Sequence, residues 1–252
     1  MVARTAGAER TAFGDSAFQG KGQIVALGDD RTDVLVFTRT AGYRHESIPA
    51  GAAAVGDLAA ELGLTARHTE DPAALRPERL ARCAAVVFLS TTGDVLDPAG
   101  RAALEAHVRG GGGFVAVHAA ANAEPGWPFY GELLGARFAG HPEVQPADVG
   151  VEDAGHPATA GLGGPVWRWT DEWYDFAASP RGDAGVRVLL TVDEASYQGG
   201  MSGADHPIAW CQEVGAGRSF FTALGHEVRA YADPVFRAHL RGGLAWAVRA
   251  AG

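Results

Sequence analysis

Gly110-Gly-Gly-Gly113-Phe-Val-Ala-Val117-His118-Ala-Ala-Ala-Asn122 is the stretch on which the fold turns, because four glycines empty into a short apolar run that stops on a histidine. Gly113 to Val117 is too short for a helix and rich in β-branched and aromatic residues, the pattern of a central parallel strand. His118 then stands at the strand's carboxyl end, and open α/β sheets bind their ligands just outside those ends. A core histidine satisfied by a backbone carbonyl fits the same position. The glycines do not read as a phosphate cradle, since such loops follow a strand and open a helix. Here they precede the strand, and they are expected to end the helix before it, with Gly110 as the left-handed C′ residue.

Working outward, the same alternation recurs. Asp33 to Thr38 is an apolar strand, followed by the polar loop Arg39 to Ser47 and an Ala-rich helix from about Pro49 to Leu62, in which Val55, Leu58 and Leu62 share a face. Leu64–His68 and Ala84–Leu89 read as further strands, with a helical turn at 77–82 between them. Asp97 before Pro98 is an N-cap with proline at N1, and that helix runs to Arg109. Strands are expected at 144–151, 186–192, 207–211 and 217–222, and Asp233-Pro234 opens a closing helix whose Phe236, Leu240 and Leu244 form its apolar stripe. The pattern predicts a doubly wound α/β domain over 31–252 with a mostly parallel sheet. Residues 1–30 show no sustained period and are expected to be an extension.

At 252 residues and 47% hydrophobic content, the chain can bury a sizeable core. A net charge of −9 without a basic cluster argues against nucleic acid or an anionic membrane as partner. Cys83 and Cys211 have neither disulfide-framework nor zinc-motif spacing, and no run approaches the roughly 20 apolar residues of a membrane span. A cytoplasmic protein with a small-molecule ligand is expected, and a homo-oligomer is compatible with this.

Three distant segments, ending in His45, His118 and His226, each deliver a histidine to what should be one sheet edge. No motif such as H-E-x-x-H indicates a metal; a divalent ion such as zinc, if bound, would use His118, His141, His226 and Glu172. Trp167 to Asp175 embeds acidic residues among large aromatics, where desolvation would raise a carboxylate pKa and suit Glu172 to acid or base work. A strand with its tryptophans inward and its carboxylates in water fits equally well. Tyr43, Arg44, His45, Trp127, His141, Tyr174 and His206 complete the candidate substrate-binding set, and the Gly-rich loop 198–205 is expected to rim the site.

Tyr43-Arg-His45, Gly112-Gly-Phe-Val-Ala-Val-His118, Phe138-Ala-Gly-His141-Pro, Asp171-Glu172-Trp-Tyr174, Pro207-Ile-Ala-Trp210 and Gly217 through His226 together resemble the ThuA-like (trehalose utilisation) family, over roughly residues 31–249. The resemblance implies a flavodoxin-like fold related to the class I glutamine amidotransferases. His118 falls where those enzymes carry the nucleophilic cysteine, and Val228 stands where their triad glutamate would follow His226, so thioester chemistry lacks its nucleophile. It also implies disaccharide metabolism on keto-sugars made by a partner dehydrogenase. His118, His226 and Glu172 are the expected catalytic groups, with Trp127 and Tyr174 stacking on a sugar face. A non-catalytic sugar-binding or regulatory module is the alternative.

Overall fold

The computed structural model describes residues 31–182 and 185–250; the extension expected at 1–30 lies outside the described residues. The elements run β1 (Asp33–Phe37), α1 (Ile48–Glu61), β2 (Thr65–Thr69), α2 (Pro77–Leu80), β3 (Cys83–Leu89), α3 (Pro98–Arg109), β4 (Gly113–Val117) and α4 (Pro128–Leu134). Then follow β5 (Phe138–Gly140), β6 (Gln145–Val151), β7 (Val166–Asp171), β8 (Asp175–Phe176), β9 (Arg187–Val192), β10 (Pro207–Val214), β11 (Gly217–Thr222) and α5 (Pro234–Ala247).

Nine strands form one sheet in the order β2-β1-β3-β4-β11-β10-β9-β6-β7. Its first five strands are parallel, in the 2-1-3-4-5 order of flavodoxin-like folds with β11 in fifth place. β1, β3 and β4 are buried on both faces, which is why they read as unbroken apolar runs, whereas β2 is the exposed edge strand. α1 packs on α5, and Phe220 of β11 meets His239 of α5 on that face. On the opposite face Phe114 and Phe88 pack against Tyr130 of α4.

From β11 onward each pairing is antiparallel, through β10, β9 and β6 to β7. Four reversals return β7 to the direction of β11, so its carboxyl end lies at the same edge of the sheet as those of β4 and β11. Strand pattern alone did not distinguish this antiparallel half from further parallel strands, because burial and not direction sets the hydrophobic run.

Both expected proline-started helices are capped as read: Asp97 Oδ1 accepts from Gly100 N–H at 2.7 Å, and Asp233 Oδ1 from Val235 and Phe236 N–H. The glycine turn differs in one position. Gly110 has an ordinary φ of −82°, whereas Gly111 takes the left-handed φ of +103°, so the chain reverses one residue later than expected.

Candidate functional site

His118 is the first residue beyond β4, and its backbone is left-handed at φ +54°. For a residue with a Cβ this conformation costs roughly 1–2 kcal/mol, and such strain collects where surrounding structure fixes a functional side chain. The ring is fully buried, and its Nδ1–H donates to the Ala223 carbonyl at 2.7 Å. A carbonyl only accepts, so the proton sits on Nδ1 and the Nε2 lone pair points away from the sheet.

Four polar groups converge on that Nε2. Tyr174 Oη lies at 3.0 Å, His45 Nε2 at 3.1 Å, His226 Nδ1 at 3.3 Å and Glu172 Oε2 at 3.5 Å. Glu172 Oε2 is also 3.3 Å from His226 Nδ1, while its Oε1 lies 3.1 Å from His141 Nδ1. His45 comes from the β1–α1 loop, His226 from just past β11, and Glu172 and Tyr174 from the segment after β7.

The loop bearing His226 is held from below by Asp171, the last residue of β7. Its carboxylate accepts from the backbone N–H of Glu172, Gly225 and His226, at 2.9–3.1 Å, and from Trp169 Nε1. Gly225 adopts φ +112°, and a Cβ there would lie 2.7 Å from the Tyr231 hydroxyl, so both backbone and space require glycine. Asp171 therefore faces inward with the tryptophans of its strand, against the reading that placed the carboxylates in water. The clue in sequence is alternation: Trp167, Trp169 and Asp171 share one face of a strand.

The electrostatics also revise the expectation for Glu172. Burial acts to raise its pKa, but hydrogen bonding and charge from His118 and His226 outweigh that and hold the carboxyl well below its usual range. Glu172 in turn raises His226, its hydrogen bond overcoming burial. Burial, with the neighbouring His118 and His226, pushes His45 down to about 3. The Tyr174 phenol is raised well above its ordinary value by burial and then by Glu172, and stays protonated. Burial alone would depress His226, and its direction is reversed by Glu172, a partner that sequence spacing does not reveal.

A cavity of about 340 Å³ opens over this cluster, walled by Tyr43, His45, Phe138, His141, Glu172 and Tyr174. Its size falls within the range of small-molecule sites, about 300–1,000 Å³. Tyr43, 67% exposed, stands at its mouth. Three expected members lie elsewhere. Arg44 pairs on the surface with Glu70 at 2.6 Å. Trp127 is stacked on Tyr130 beside α4, with the Arg101 guanidinium over its ring, and does not line the cavity. His206 is buried and bonded to the Tyr174 carbonyl, on the far side of that residue from the cavity. The 198–205 loop likewise borders a separate cavity, through Met201, Ser202 and Asp205, since its amides are held by Asp175 and Glu194.

The four side chains whose ligand atoms cluster within 4.8 Å are His45, His118, Glu172 and His226, so His45 takes the place foreseen for His141 in a metal-binding set. Ligands about 2.0–2.1 Å from a tetrahedral zinc ion lie about 3.3–3.4 Å apart, and the distances given above bracket that value. The cysteines take no part. Cys83 starts β3 and Cys211 lies in β10, and burial pushes their thiols up to about 11 and about 12.

No helix among the described residues is long and apolar enough to cross a membrane. Among curated proteins none matches the chain significantly. Solved structures do. A ThuA-like protein from Bacteroides uniformis is 25% identical with a TM-score of 0.72, the match covering 86% of this chain and 91% of that one. A ThuA-like protein from Parabacteroides merdae is 20% identical, with a TM-score of 0.70 and coverage of 86% and 90%. A cytoplasmic protein from Salmonella typhimurium shares the fold at 12% identity and TM-score 0.58, over 85% of this chain and 98% of its own. The family model described as ThuA, trehalose utilisation, matches residues 33–247, a span that holds every side chain gathered around His118, and the chain belongs to the ThuA family.

Proposed function

We propose that this protein is a metal-assisted acid–base enzyme acting on a disaccharide or sugar derivative that carries a carbonyl group. The family's description as trehalose utilisation supports the carbohydrate class. The observation that carries the chemistry is the crowding at His118 Nε2, where one lone pair faces a hydroxyl, two imidazole nitrogens and a carboxylate within 3.0–3.5 Å. One lone pair cannot satisfy three possible donors, whereas a divalent cation among these atoms uses every lone pair. His45, His118, His226 and Glu172 would hold it. Such an ion polarises a carbonyl or lowers the pKa of water.

The remaining roles fall to residues of the cavity. Phe138 and Tyr174 offer an apolar wall, with ring centroids 4.5 Å apart, against which a sugar face can lie. His141 is partly exposed, with Nδ1 3.0 Å from the Pro142 carbonyl and 3.1 Å from Glu172 Oε1, and it carries protons between the site and solvent. Asp171 positions the His226 loop through backbone amides. The keto-sugar would be supplied by an oxidation at a secondary alcohol, the task of a partner dehydrogenase, in a cytoplasmic setting like that of the Salmonella structural relative.

Incubating the protein with oxidised and unoxidised disaccharides, with and without chelator, and following products by mass tests the reading. Conversion of the oxidised sugar, abolished by chelator and restored by zinc or manganese, is expected. Tight sugar binding with no product in any condition would overturn the enzyme in favour of a binding module.

A further inference from the structure

A second cluster lies behind Tyr174, outside the cavity. We propose that Asp175, Glu194 and His206 form a separate divalent transition-metal site that fastens the 198–205 loop to the segment bearing Tyr174.

The ligand atoms of these three side chains lie within 4.8 Å of one another. His206 is fully buried and its Nε2–H donates to the Tyr174 carbonyl at 2.8 Å. That bond fixes the tautomer and leaves the Nδ1 lone pair facing Glu194 Oε1 at 2.8 Å and the Tyr197 hydroxyl at 3.1 Å. A ring that gives one N–H to a backbone carbonyl and aims its other nitrogen at carboxylates has the outer-sphere arrangement common to metal-bound histidines.

Asp175 supplies the independent observation. It is only 3% exposed, and while Oδ1 accepts from Met201 N–H and the Ser202 hydroxyl at 2.9 Å, Oδ2 is buried with no hydrogen-bond partner among the described residues. An unpartnered buried carboxylate oxygen is costly. Protonating His206 would pair its ring with Glu194 but leave Asp175 Oδ2 unsatisfied. A dication held by His206 Nδ1, the Asp175 carboxylate and Glu194 would give that carboxylate the partner it lacks. Imidazole beside two carboxylates favours a zinc or manganese class ion over calcium, and the adjoining cavity of about 280 Å³, lined in part by Asp175 and His206, leaves room for water as a further ligand.

The site is built into the loop as much as into the sheet. Glu194 Oε1 also accepts from Ser202 N–H at 2.8 Å, so both carboxylates hold loop amides while facing His206. Tyr174 lies between the two clusters, its carbonyl on His206 and its hydroxyl on His118.

The test separates the two clusters by disabling the first. The full chain carrying H118Q and H226Q is stripped with chelator, reloaded with Zn²⁺, Mn²⁺ or Ca²⁺, dialysed and analysed for metal. About one equivalent of zinc or manganese is expected, and it should disappear when D175N or E194Q is added. Hydrogen exchange, which needs no further substitution, should show amides 198–205 slowed by the metal in the same H118Q/H226Q protein. A folded H118Q/H226Q protein that keeps no zinc or manganese, takes calcium alone, or retains its equivalent after D175N in a chain still folded by circular dichroism overturns the proposal. So does metal binding without protection of the loop.

Discussion

At the scale of the residue, His118 and His226 differ from the other histidines by what surrounds them. Each has its reactive nitrogen within 3.5 Å of Glu172 Oε2, whereas His68, on the edge strand β2, bonds Thr38 Oγ1 at 2.7 Å. Replacing His118 or His226 by glutamine should lower turnover by about 10²–10⁴ while the protein stays folded, and His68→Gln should leave both rate and melting temperature in place. Early unfolding with turnover per folded molecule retained would make them core histidines. His239 is a core histidine of that kind. Its rings of partners are the Ala158 carbonyl at 2.8 Å and Thr222 Oγ1 at 3.1 Å, and burial holds it down to about 4. Its folded pKa lies below the unfolded value of 6.5, so the unfolded chain binds the extra proton and stability is lost as pH falls from about 6.5 towards 4. At about 1.4 kcal/mol per unit, that loss is on the order of 3 kcal/mol. Thermal melts across this window should fall, and fall less steeply in His239→Leu. An unchanged slope would place the acid sensitivity at His45 or His156, which are depressed in the same direction.

At the scale of the element, the site depends on β7 reaching the edge where β4 and β11 end. Asp171 makes that junction, receiving two amides of the loop after β11 on one carboxylate. In Asp171→Asn one acceptor becomes an NH₂ facing backbone or indole N–H, and a buried donor is left without a partner. A loss of about 1–3 kcal/mol in stability is expected, with turnover falling further than that of the unfolded fraction alone because His226 loses its position. Denaturant unfolding and rates measured on the folded fraction check the two parts. A variant with reduced stability but unchanged turnover per folded molecule would confine Asp171 to a structural role.

At the scale of the whole molecule, the expectation is that the chain does not hydrolyse glutamine. His118 occupies the sharp turn after β4, and both thiols are buried in the sheet with thiolates disfavoured. Ammonia release from glutamine above that of His118→Ala would refute it. The parallel half of the sheet, the proline-started helices, the convergence of three histidines and the family were all legible in sequence. Each is written in short-range signals: apolar runs of strand length, caps next to proline, and a histidine following each run. What the sequence left open was pairing direction and partnership. Asp171-Glu172 reads as an exposed or an embedded acid with equal ease, because only the four antiparallel reversals that carry β7 back to the carboxyl edge decide which groups meet Glu172. The same long-range closure turns Trp127 and His206 away from the cavity and sets His141 against Glu172 Oε1, outside the group of ligand atoms around His118 Nε2. It also reverses the pKa expected for Glu172, since burial is visible in a run of aromatics but two imidazoles from segments 54 residues apart on one side and 54 on the other are not. A chain determines its strands locally, whereas the neighbours of a side chain depend on loop closures over fifty residues or more, and those only the tertiary structure decides.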